Sequence, residues 1–328
     1  MTFLLTLLST LTGLIFSLVL FNSIRTPESA VLHNNFLWIN TEDINIFLGT
    51  YIDSVSSTFL VILMIISLIV QIYSYGYMKN KSGFERYFIL LNFFNFSMAG
   101  LILSPNLIQL YIFWELVGIA SYLLVGFFYK NEDVSQSAKK VFIINRIGDF
   151  ALLCGIIIFA YFSVTYMNQS SDNFLSFTDI ENFHNQLESL TYPNVYNIIC
   201  ILFLIGAFVK SAQFPFHQWL IDAMKAPMPV SALIHSATMV CAGIFLIIRI
   251  FPLLNKDLLN IILYTGITTA VLCAFIALGQ TNIKKMLAFS TASQLGLMFS
   301  LIGLGEISIA VIYLVIHSFT KALLFLCT

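Results

Sequence analysis

Polar and apolar residues are arranged along this chain in long blocks and not in alternation. A helix needs roughly 17 to 25 apolar residues to cross a bilayer, and ten runs approach or reach that length. They cover residues 2 to 21, 53 to 78, 86 to 104, 106 to 128, 140 to 162, 195 to 216, 230 to 251, 258 to 279, 286 to 304 and 307 to 327. None shows the ten-residue alternation of a membrane β-barrel. The pattern predicts an all-α, polytopic membrane bundle of about ten transmembrane helices.

One segment is too long for a single straight span. Residues 197 to 225, at about 1.5 Å each, would reach well beyond a hydrocarbon core roughly 30 Å thick. Pro215 lies in this segment, and proline removes a backbone donor and clashes with the carbonyl four residues earlier. We therefore expect a broken helix near residues 211 to 216. Freed backbone groups are tolerated in a membrane only inside protein or beside water, so the break predicts a buried polar site next to Lys210.

Lysines and arginines collect in the loops that follow the even-numbered spans, which together form what we term the basic face. Nine cations lie there, namely Lys79, Lys81, Arg86, Lys130, Lys139, Lys140, Lys225, Lys284 and Lys285. The opposite side carries Arg25, Arg249 and Lys256. Positive charge accumulates on the cytoplasmic or matrix side. The count therefore places the N-terminus on that side and the acidic loop 163 to 194 (Asp172, Asp179, Glu181 and Glu188) on the other.

The composition narrows the possible functions. Hydrophobic residues make up 59% of the 328 and charged residues 9%, which is far from the balance of a soluble domain. A net charge of -1 gives no reason to expect nucleic acid as a partner, and membrane lipid is the expected surrounding. The five cysteines are scattered singly, without metal-ligand spacing, and no phosphate-binding or dinucleotide-binding motif occurs. We expect no cofactor and no metal on this chain.

Ionisable groups inside the spans cost about 2.5 to 3.5 kcal/mol each at mid-membrane, so each needs a reason. They are Glu115, Arg146, Asp149, Lys210, His235, His317 and Lys321. Arg146 and Asp149, three residues apart, can neutralise each other, and His317 and Lys321, four apart, share a helix face. For both pairs a purely structural role stays open. We interpret His217, after the break, and His184, in the acidic loop, as ordinary polar residues.

Glu115 and Lys210 carry opposite charges in separate spans, and neither has a counter-charge in its own helix. Pairing across helices would relieve both charges, and the sequence leaves open whether the two are in contact at rest. Low dielectric favours the neutral form of a lysine and a nearby carboxylate favours the charged form, so a movable pair would control a proton. This is the requirement for a proton relay. The alternative is that the pair only fixes the packing of the helices.

Five sequence blocks carry a resemblance to a known family. They are FWELVGIASYLLVGF (113 to 127), NRIGDF (145 to 150), KSAQFPFHQWLIDAMKAPMPVSALIHSATMVCAGIFLI (210 to 247), QTNIKKMLAFSTASQLGLM (280 to 298) and HSFTKALLF (317 to 325). Together they resemble the subunit 5 family of respiratory complex I, the NADH:ubiquinone oxidoreductase. The resemblance extends from about residue 36 to near the end, and the block 280 to 298 favours the mitochondrial branch. It implies an antiporter-like, proton-translocating membrane subunit in the inner mitochondrial membrane, with its N-terminus on the matrix side.

The resemblance also assigns roles by position. It implies a proton relay of Glu115, Lys210 on the broken helix, His235, His317 and Lys321, with Arg146 and Asp149 as a supporting charged pair. It implies proton transport coupled to quinone reduction elsewhere in an enzyme whose FMN, iron-sulfur clusters and ubiquinone lie on other chains. The implied partners are the other membrane-arm subunits, especially the neighbouring antiporter-like subunit.

The sequence departs from the family pattern in several places. Val209 stands where the family has glycine, and Lys225, Ala226 and Met228 alter a stretch that is usually acidic or small. The family's usual first helix and C-terminal part have no counterpart here. We therefore expect one antiporter-like domain over residues 1 to 328, with N-terminal spans 1 to 104 and relay-bearing spans 105 to 328. We expect it to be an incomplete portion of the subunit, completed by a separate chain with the C-terminal helices.

Two other functions remain open. A subunit of a multi-subunit Na+/H+ antiporter shares these motifs. Dependence of transport on sodium would distinguish it from a complex I subunit. A structural membrane subunit with a degenerate relay is the other, in which replacing Lys210 would leave proton pumping intact.

Overall fold

A computed structural model describes residues 2–24, 31–40, 45–167, 175–177, 180 and 193–328. Arg25, His184 and the four carboxylates of the predicted acidic loop lie outside these residues. Eleven long or broken helical segments occur in the described part of the chain. They are α1 (Thr2–Ser23), α2 (Ser54–Met78), α3 (Phe84–Ile102), α4 (Leu107–Val125), α5 (Glu132–Met167), α6 (Pro193–Lys210), α7 (Met228–Ser236), α8 (Ala242–Ile250), α9 (Lys256–Leu278), α10 (Ile283–Gly303) and α11 (Ile307–Leu326).

The all-α membrane bundle predicted from the apolar runs is confirmed. Within the described residues, eight segments are long and apolar enough to cross a membrane, when α7 and α8 are counted together as the one segment Met228–Leu253. They do not include α3, which carries two asparagines, or α6, whose apolar stretch Val195–Lys210 is only a partial span. α5 begins eight residues before the predicted span at 140, so its first two turns project beyond the apolar region on the basic face.

A small β-hairpin, which the apolar pattern did not predict, lies between α1 and α2. Strands β1 (Leu32–Asn40) and β2 (Asn45–Ile52) pair antiparallel with an irregularity between Leu37 and Ile39. The side chain of Gln109 holds the hairpin to the start of α4, donating to the Gly49 carbonyl and accepting from the Gly49 N–H, both at 2.9 Å. We term this side of the bundle the hairpin face.

Contacts between loops support the alternation of faces on which the charge count rests. On the basic face Lys140 pairs with Asp222 at 2.8 Å, joining the segment after the fourth span to the segment after the sixth. Arg86, in the first turn of α3, donates to the Phe127 carbonyl after α4. On the hairpin face the Asn106 side chain donates to the Phe47 carbonyl. Loops after even-numbered spans therefore meet on one side and loops after odd-numbered spans on the other.

The core of the bundle surrounds α7 and α8, which are almost entirely buried. α6 packs along α5, α4 lies between α3 and α5, and α11 crosses α7. α9 and α10 form the most extensive helix pair, in which Gly266 and Gly296 allow the backbones to touch: a Cβ on either would lie 2.6 Å from the other's carbonyl oxygen. This arrangement places the ends of α6 and α7 near the middle of the protein, where the candidate site lies.

Candidate functional site: buried charges at two helix breaks

The predicted break after Lys210 is confirmed. Lys210 is the last residue of α6 and its side chain is fully buried. Beyond it Ala212 has a φ of 51°, in the left-handed region, and the peptide bond before Pro215 is cis. A three-residue turn then leads into a one-turn helix, Trp219–Asp222. A fully buried ammonium group therefore lies beside open backbone.

Side chains satisfy the carbonyls that the break exposes. The indole N–H of Trp219 donates to the Val209 carbonyl at 2.8 Å. The Gln213 side-chain amide donates to the Ser211 carbonyl, four residues before Pro215, at 3.0 Å. Unpaired backbone groups are costly in an apolar interior, and these bonds keep the open segment compatible with burial.

Lys210 forms an ion pair with Asp149 of α5. Its Nζ lies 3.2 Å from Asp149 Oδ1, and the two side chains are only 1% and 3% exposed. The Trp114 indole donates to the same carboxylate oxygen at 2.7 Å. Gly118, one turn further along α4, leaves room for the ammonium group, since a Cβ there would lie 3.2 Å from Nζ. Three helices thus contribute to one buried, charged pocket.

Glu115 forms an ion pair with Arg146, in which Arg146 Nη1 contacts Glu115 Oε2. The Tyr111 hydroxyl donates to the other carboxylate oxygen at 2.7 Å. This pair is less buried than the first, because the Arg146 side chain is 37% exposed and stacks over the Phe142 ring at 4.7 Å.

The structure therefore pairs the four charges differently from the two pairings that the sequence suggested. Glu115 pairs with Arg146 and not with Lys210, and Asp149 pairs with Lys210 and not with Arg146. The reason is geometric. Residues three apart in a helix point about 60° away from each other around the axis. On α5 this turns Asp149 toward the core and α6, and it leaves Arg146 nearer the surface, where Glu115 lies.

A second helix break, which the sequence did not reveal, interrupts the predicted span 230 to 251. α7 ends at Ser236 and α8 begins at Ala242. No proline lies between them, and side chains hold the opening: the Thr238 hydroxyl donates to the Leu233 carbonyl at 2.7 Å. The Ser211 hydroxyl donates to the Val240 carbonyl at 2.8 Å. That bond joins the first break to the second.

The structure brings the other predicted relay residues together beside the second break. His235 is fully buried, stacks on Phe325 at 5.6 Å, and has no hydrogen-bond partner for either ring nitrogen among the described residues. The His317 side chain lies close to the backbone of His235, and its Nε2 is unpaired in the described structure. Lys321, one turn further along α11, donates to the Ser290 hydroxyl. Buried imidazoles without partners are typical sites for bound water.

Val209, the departure from the family's glycine, packs against a glycine of the neighbouring helix. A Cβ on Gly148 of α5 would lie 2.5 Å from the Val209 Cβ. The small residue that allows α5 and α6 to approach therefore lies on α5. Close approach at this level is preserved, and it places Asp149, the next residue, beside Lys210.

A further ion pair lies on the hairpin face, and it was not predicted from the sequence because Arg249 was counted as a loop cation. Arg249 is buried and donates to both oxygens of Asp53, at 2.7 and 3.2 Å. Its guanidinium stacks over Phe245 at 4.9 Å. Asp53 precedes α2 and caps it through Ser56. Burial raises the pKa of Asp53, but Arg249 and the hydrogen bonds with Ser56 outweigh burial and hold that pKa below its usual value.

The remaining candidate residues do not join these clusters. His217 lies half-buried in the turn after the break, stacked on Phe214 at 5.9 Å. Within the described part of the chain, no group of three or more His, Cys, Asp or Glu side chains is placed to hold a metal ion. The arrangement is therefore one of paired and unpaired titratable groups, suited to holding and passing protons.

Comparison with family models gives two matches. Residues 104–328 match the family described as NADH:quinone oxidoreductase/Mrp antiporter, TM. Residues 38–88 match the family described as NADH-Ubiquinone oxidoreductase (complex I), chain 5 N-terminus. The first match covers every residue of the charged clusters around Lys210 and His235.

Curated relatives are similar over almost the whole chain. The chloroplastic NAD(P)H-quinone oxidoreductase subunit 5 of Mesostigma viride is 42% identical over 94% of this chain and 46% of the relative. That of Lemna minor is 43% identical over 96% of this chain and 41% of the relative. The chain thus spans less than half the length of these relatives.

Two solved structures have the same fold. The chain aligns over 99% of its length with 37% of a chain of the Mrp complex from Dietzia sp. DQ12-45-1b, at a TM-score of 0.80 and 27% identity. It aligns over 98% of its length with 63% of a chain of the membrane-bound sulfane sulfur reductase, an archaeal respiratory membrane complex. The second match has a TM-score of 0.82 and 20% identity, which supports the fold alone.

Proposed function

Because the chain belongs to the subunit 5 family of complex I, we propose that it translocates protons as part of the membrane arm of an NADH:quinone oxidoreductase. Quinone reduction elsewhere in the complex drives the transport, and this chain performs no redox chemistry. The chain spans less than half the length of these relatives, so it contributes one portion of the route.

The ion pair between Lys210 and Asp149 is the observation that carries the proposal. The ammonium and carboxylate lie 3.2 Å apart with almost no solvent access, and a buried charge is held only while its partner is near. Whether Lys210 keeps its proton therefore depends on the position of Asp149. The break at the end of α6 supplies a segment whose backbone is not locked into a continuous helix, and a change there would alter that distance.

The remaining relay groups continue from this pair toward α11. Glu115 with Arg146 lies on the more exposed side of the pair, and His235, His317 and Lys321 lie together beside the second break. The Ser211 hydroxyl joins the two breaks. The unpaired nitrogens of His235 mark where bound water would complete the chain of proton carriers. We propose that protons move along this axis.

The location and partners follow from the same proposal. We propose the mitochondrial inner membrane, with the N-terminus on the matrix side, on the strength of residues 280 to 298 and of the cation count. The relatives compared above are chloroplastic, so localisation of the tagged chain in isolated organelles tests this point. FMN, iron-sulfur clusters and ubiquinone would be held by other subunits. The neighbouring antiporter-like subunit, lipid and a chain with the C-terminal helices are the proposed partners.

The direct test replaces Lys210 with alanine in the assembled complex and measures NADH oxidation and NADH-driven proton uptake in the same membrane vesicles. Lys139→Ala is the control, because Lys139 is an exposed cation on α5. We expect the complex with Lys210→Ala to assemble and to lose most of its pumping, while the control pumps normally. Normal pumping per NADH in Lys210→Ala would instead support a structural subunit with a degenerate relay.

A second candidate function, a subunit of a multi-subunit Na+/H+ antiporter, is favoured by the structural match to the Mrp complex at 27% identity. The two candidates differ in their coupling. Proton movement driven by a sodium gradient, without NADH and insensitive to quinone-site inhibitors, would support the antiporter. Pumping that needs NADH and is unaffected by sodium supports the complex I function.

A further inference from the structure

Two adjoining cavities lie on the basic face, between the start of α3 and the end of α4. Their volumes are about 380 and 230 Å³, and both are lined by Arg86 and Tyr129. Neither belongs to the charged clusters around Lys210 and His235. Because Arg86 lines both cavities, we term them together the Arg86 recess.

Both halves of the Arg86 recess are lined by a mixture of polar and apolar residues. The larger half carries Lys130 beside Phe128. The smaller half extends along α3 and α4, with Leu90 and Leu123 beside Ser135. Leu123 is 39% exposed and lies in a membrane-spanning helix, so this half opens toward lipid.

Arg86 is held in place without being neutralised. Its Nη2 donates to the Phe127 carbonyl at 2.6 Å, and its guanidinium stacks over Phe127 at 4.7 Å and Tyr129 at 5.1 Å. Among the ion pairs between described residues, neither Arg86 nor Lys130 takes part. None of the described residues that line the recess is acidic. The recess therefore presents two cations without counter-charges beside the apolar side chains of Leu90 and Leu123.

We propose that the Arg86 recess binds an anionic phospholipid. The phosphate lies against Arg86 and Lys130, where an arginine offers paired donors to phosphate oxygens. The first part of an acyl chain lies along Leu90 and Leu123. A free phosphate ion would make no use of the apolar surface of Leu90 and Leu123. A zwitterionic lipid would bring its own cation to a basic site. Basic recesses between membrane helices on the matrix or cytoplasmic side suit anionic head groups.

The test measures lipid binding to the whole complex that contains the chain. The complex is purified in dodecylmaltoside, delipidated, and titrated with mixed micelles that contain phosphatidylglycerol or phosphatidylcholine. Bound lipid is quantified by mass spectrometry. Arg86→Gln and Lys130→Gln are compared with Lys284→Gln, which removes a cation from the same face but lines neither cavity.

We expect each recess variant to weaken phosphatidylglycerol binding about fivefold, which corresponds to about 1 kcal/mol for one surface cation, and to leave phosphatidylcholine unchanged. Lys284→Gln should bind both lipids as the unaltered complex does. If the complex with Arg86→Gln fails to assemble, Lys130→Gln still tests the proposal. Lys130 forms no ion pair with another described residue, so its replacement should not disturb assembly.

Three results would overturn the proposal. The first is equal binding of phosphatidylglycerol by the recess variants and the unaltered complex. The second is equal affinity of the unaltered complex for the two lipids. The third is displacement of phosphatidylglycerol by millimolar inorganic phosphate, which would identify a site for a free anion.

Discussion

Lys210 lies 3.2 Å from Asp149, and this contact depends on the glycine at position 118, whose missing side chain leaves space for the ammonium group. The two charges belong to α6 and α5, while α4 supplies both the space and the Trp114 donor. The pair is thus built by three helices, and each of them must keep its position for the charges to stay in contact.

Removing the carboxylate of this pair should be more damaging than removing a surface carboxylate. Asp149→Asn leaves a buried ammonium without its counter-charge, which costs about 3 to 5 kcal/mol when the site cannot relax. We expect a lower unfolding temperature of the solubilised complex and loss of NADH-driven proton uptake. Asp222→Asn is the control, since its partner Lys140 is 56% exposed and such pairs contribute about 0 to 1 kcal/mol. Equal effects of the two variants would contradict the prediction.

Double-mutant cycles should separate the observed pairing from the one expected from the sequence. Glu115→Gln and Arg146→Gln should be non-additive by about 0.5 to 1 kcal/mol, because the pair is partly exposed. Glu115→Gln and Lys210→Gln should be close to additive, since they have different ion-pair partners. The measurement is the free energy of unfolding of the four proteins in each cycle. Stronger coupling between Glu115 and Lys210 than between Glu115 and Arg146 would contradict the observed pairing and support an ion pair of Glu115 with Lys210.

The sequence predicted the helices and the first break because both depend on local properties. Long apolar runs need only composition, and Pro215 opens a helix wherever it stands. The ion pairs depend on the rotation of α4, α5 and α6 about their own axes, and the spacing of Arg146 and Asp149 leaves that rotation open. Glu115, Arg146, Asp149 and Lys210 could all be identified from the sequence, whereas their ion-pair partners could not.

The second break and the hairpin were not predicted from the sequence, for related reasons. The opening after Ser236 has no proline and is held by bonds such as that from Thr238 to the Leu233 carbonyl, which exist only in the folded backbone. The hairpin strand β1 buries no regular set of alternating side chains, and Phe36 and Trp38 are exposed. Its position depends on Gln109, a residue of α4 that is distant in sequence.

The ion pair between Asp53 and Arg249 should make stability depend on pH in the acid range. The folded-state pKa of Asp53 lies below the usual 3.8, so its contribution is fully present above that value and is lost as the pH falls through the folded pKa. Asp53→Asn should therefore lower the unfolding temperature at pH 7, and the difference from the unaltered protein should shrink below about pH 4. Asp257→Asn, in the exposed first turn of α9, is the control. A difference that is constant between pH 7 and pH 3.5 would show that the charge of Asp53 is not what stabilises the fold.

The contact between Gly148 and Val209 predicts a specific rescue. A methyl group on Gly148 would lie 2.5 Å from the Val209 Cβ, so Gly148→Ala should overpack the interface of α5 and α6 and cost about 1 to 3 kcal/mol. Because Asp149 follows Gly148 and Lys210 follows Val209, the same change should displace the ion pair and reduce proton uptake per NADH. Val209→Gly, which restores the family's glycine, should remove the clash.

The double variant Gly148→Ala with Val209→Gly should therefore recover both stability and pumping relative to Gly148→Ala alone. Gly76→Ala is the matched control, because a Cβ at Gly76 meets no atom within 4 Å and alanine is the better helix former. The measurements are the unfolding temperature and the ratio of proton uptake to NADH oxidation in vesicles. If the double variant were as impaired as Gly148→Ala, the valine at position 209 could not be the residue that limits the approach of the two helices. If Gly76→Ala were equally impaired, the loss would reflect any added methyl group and not this contact.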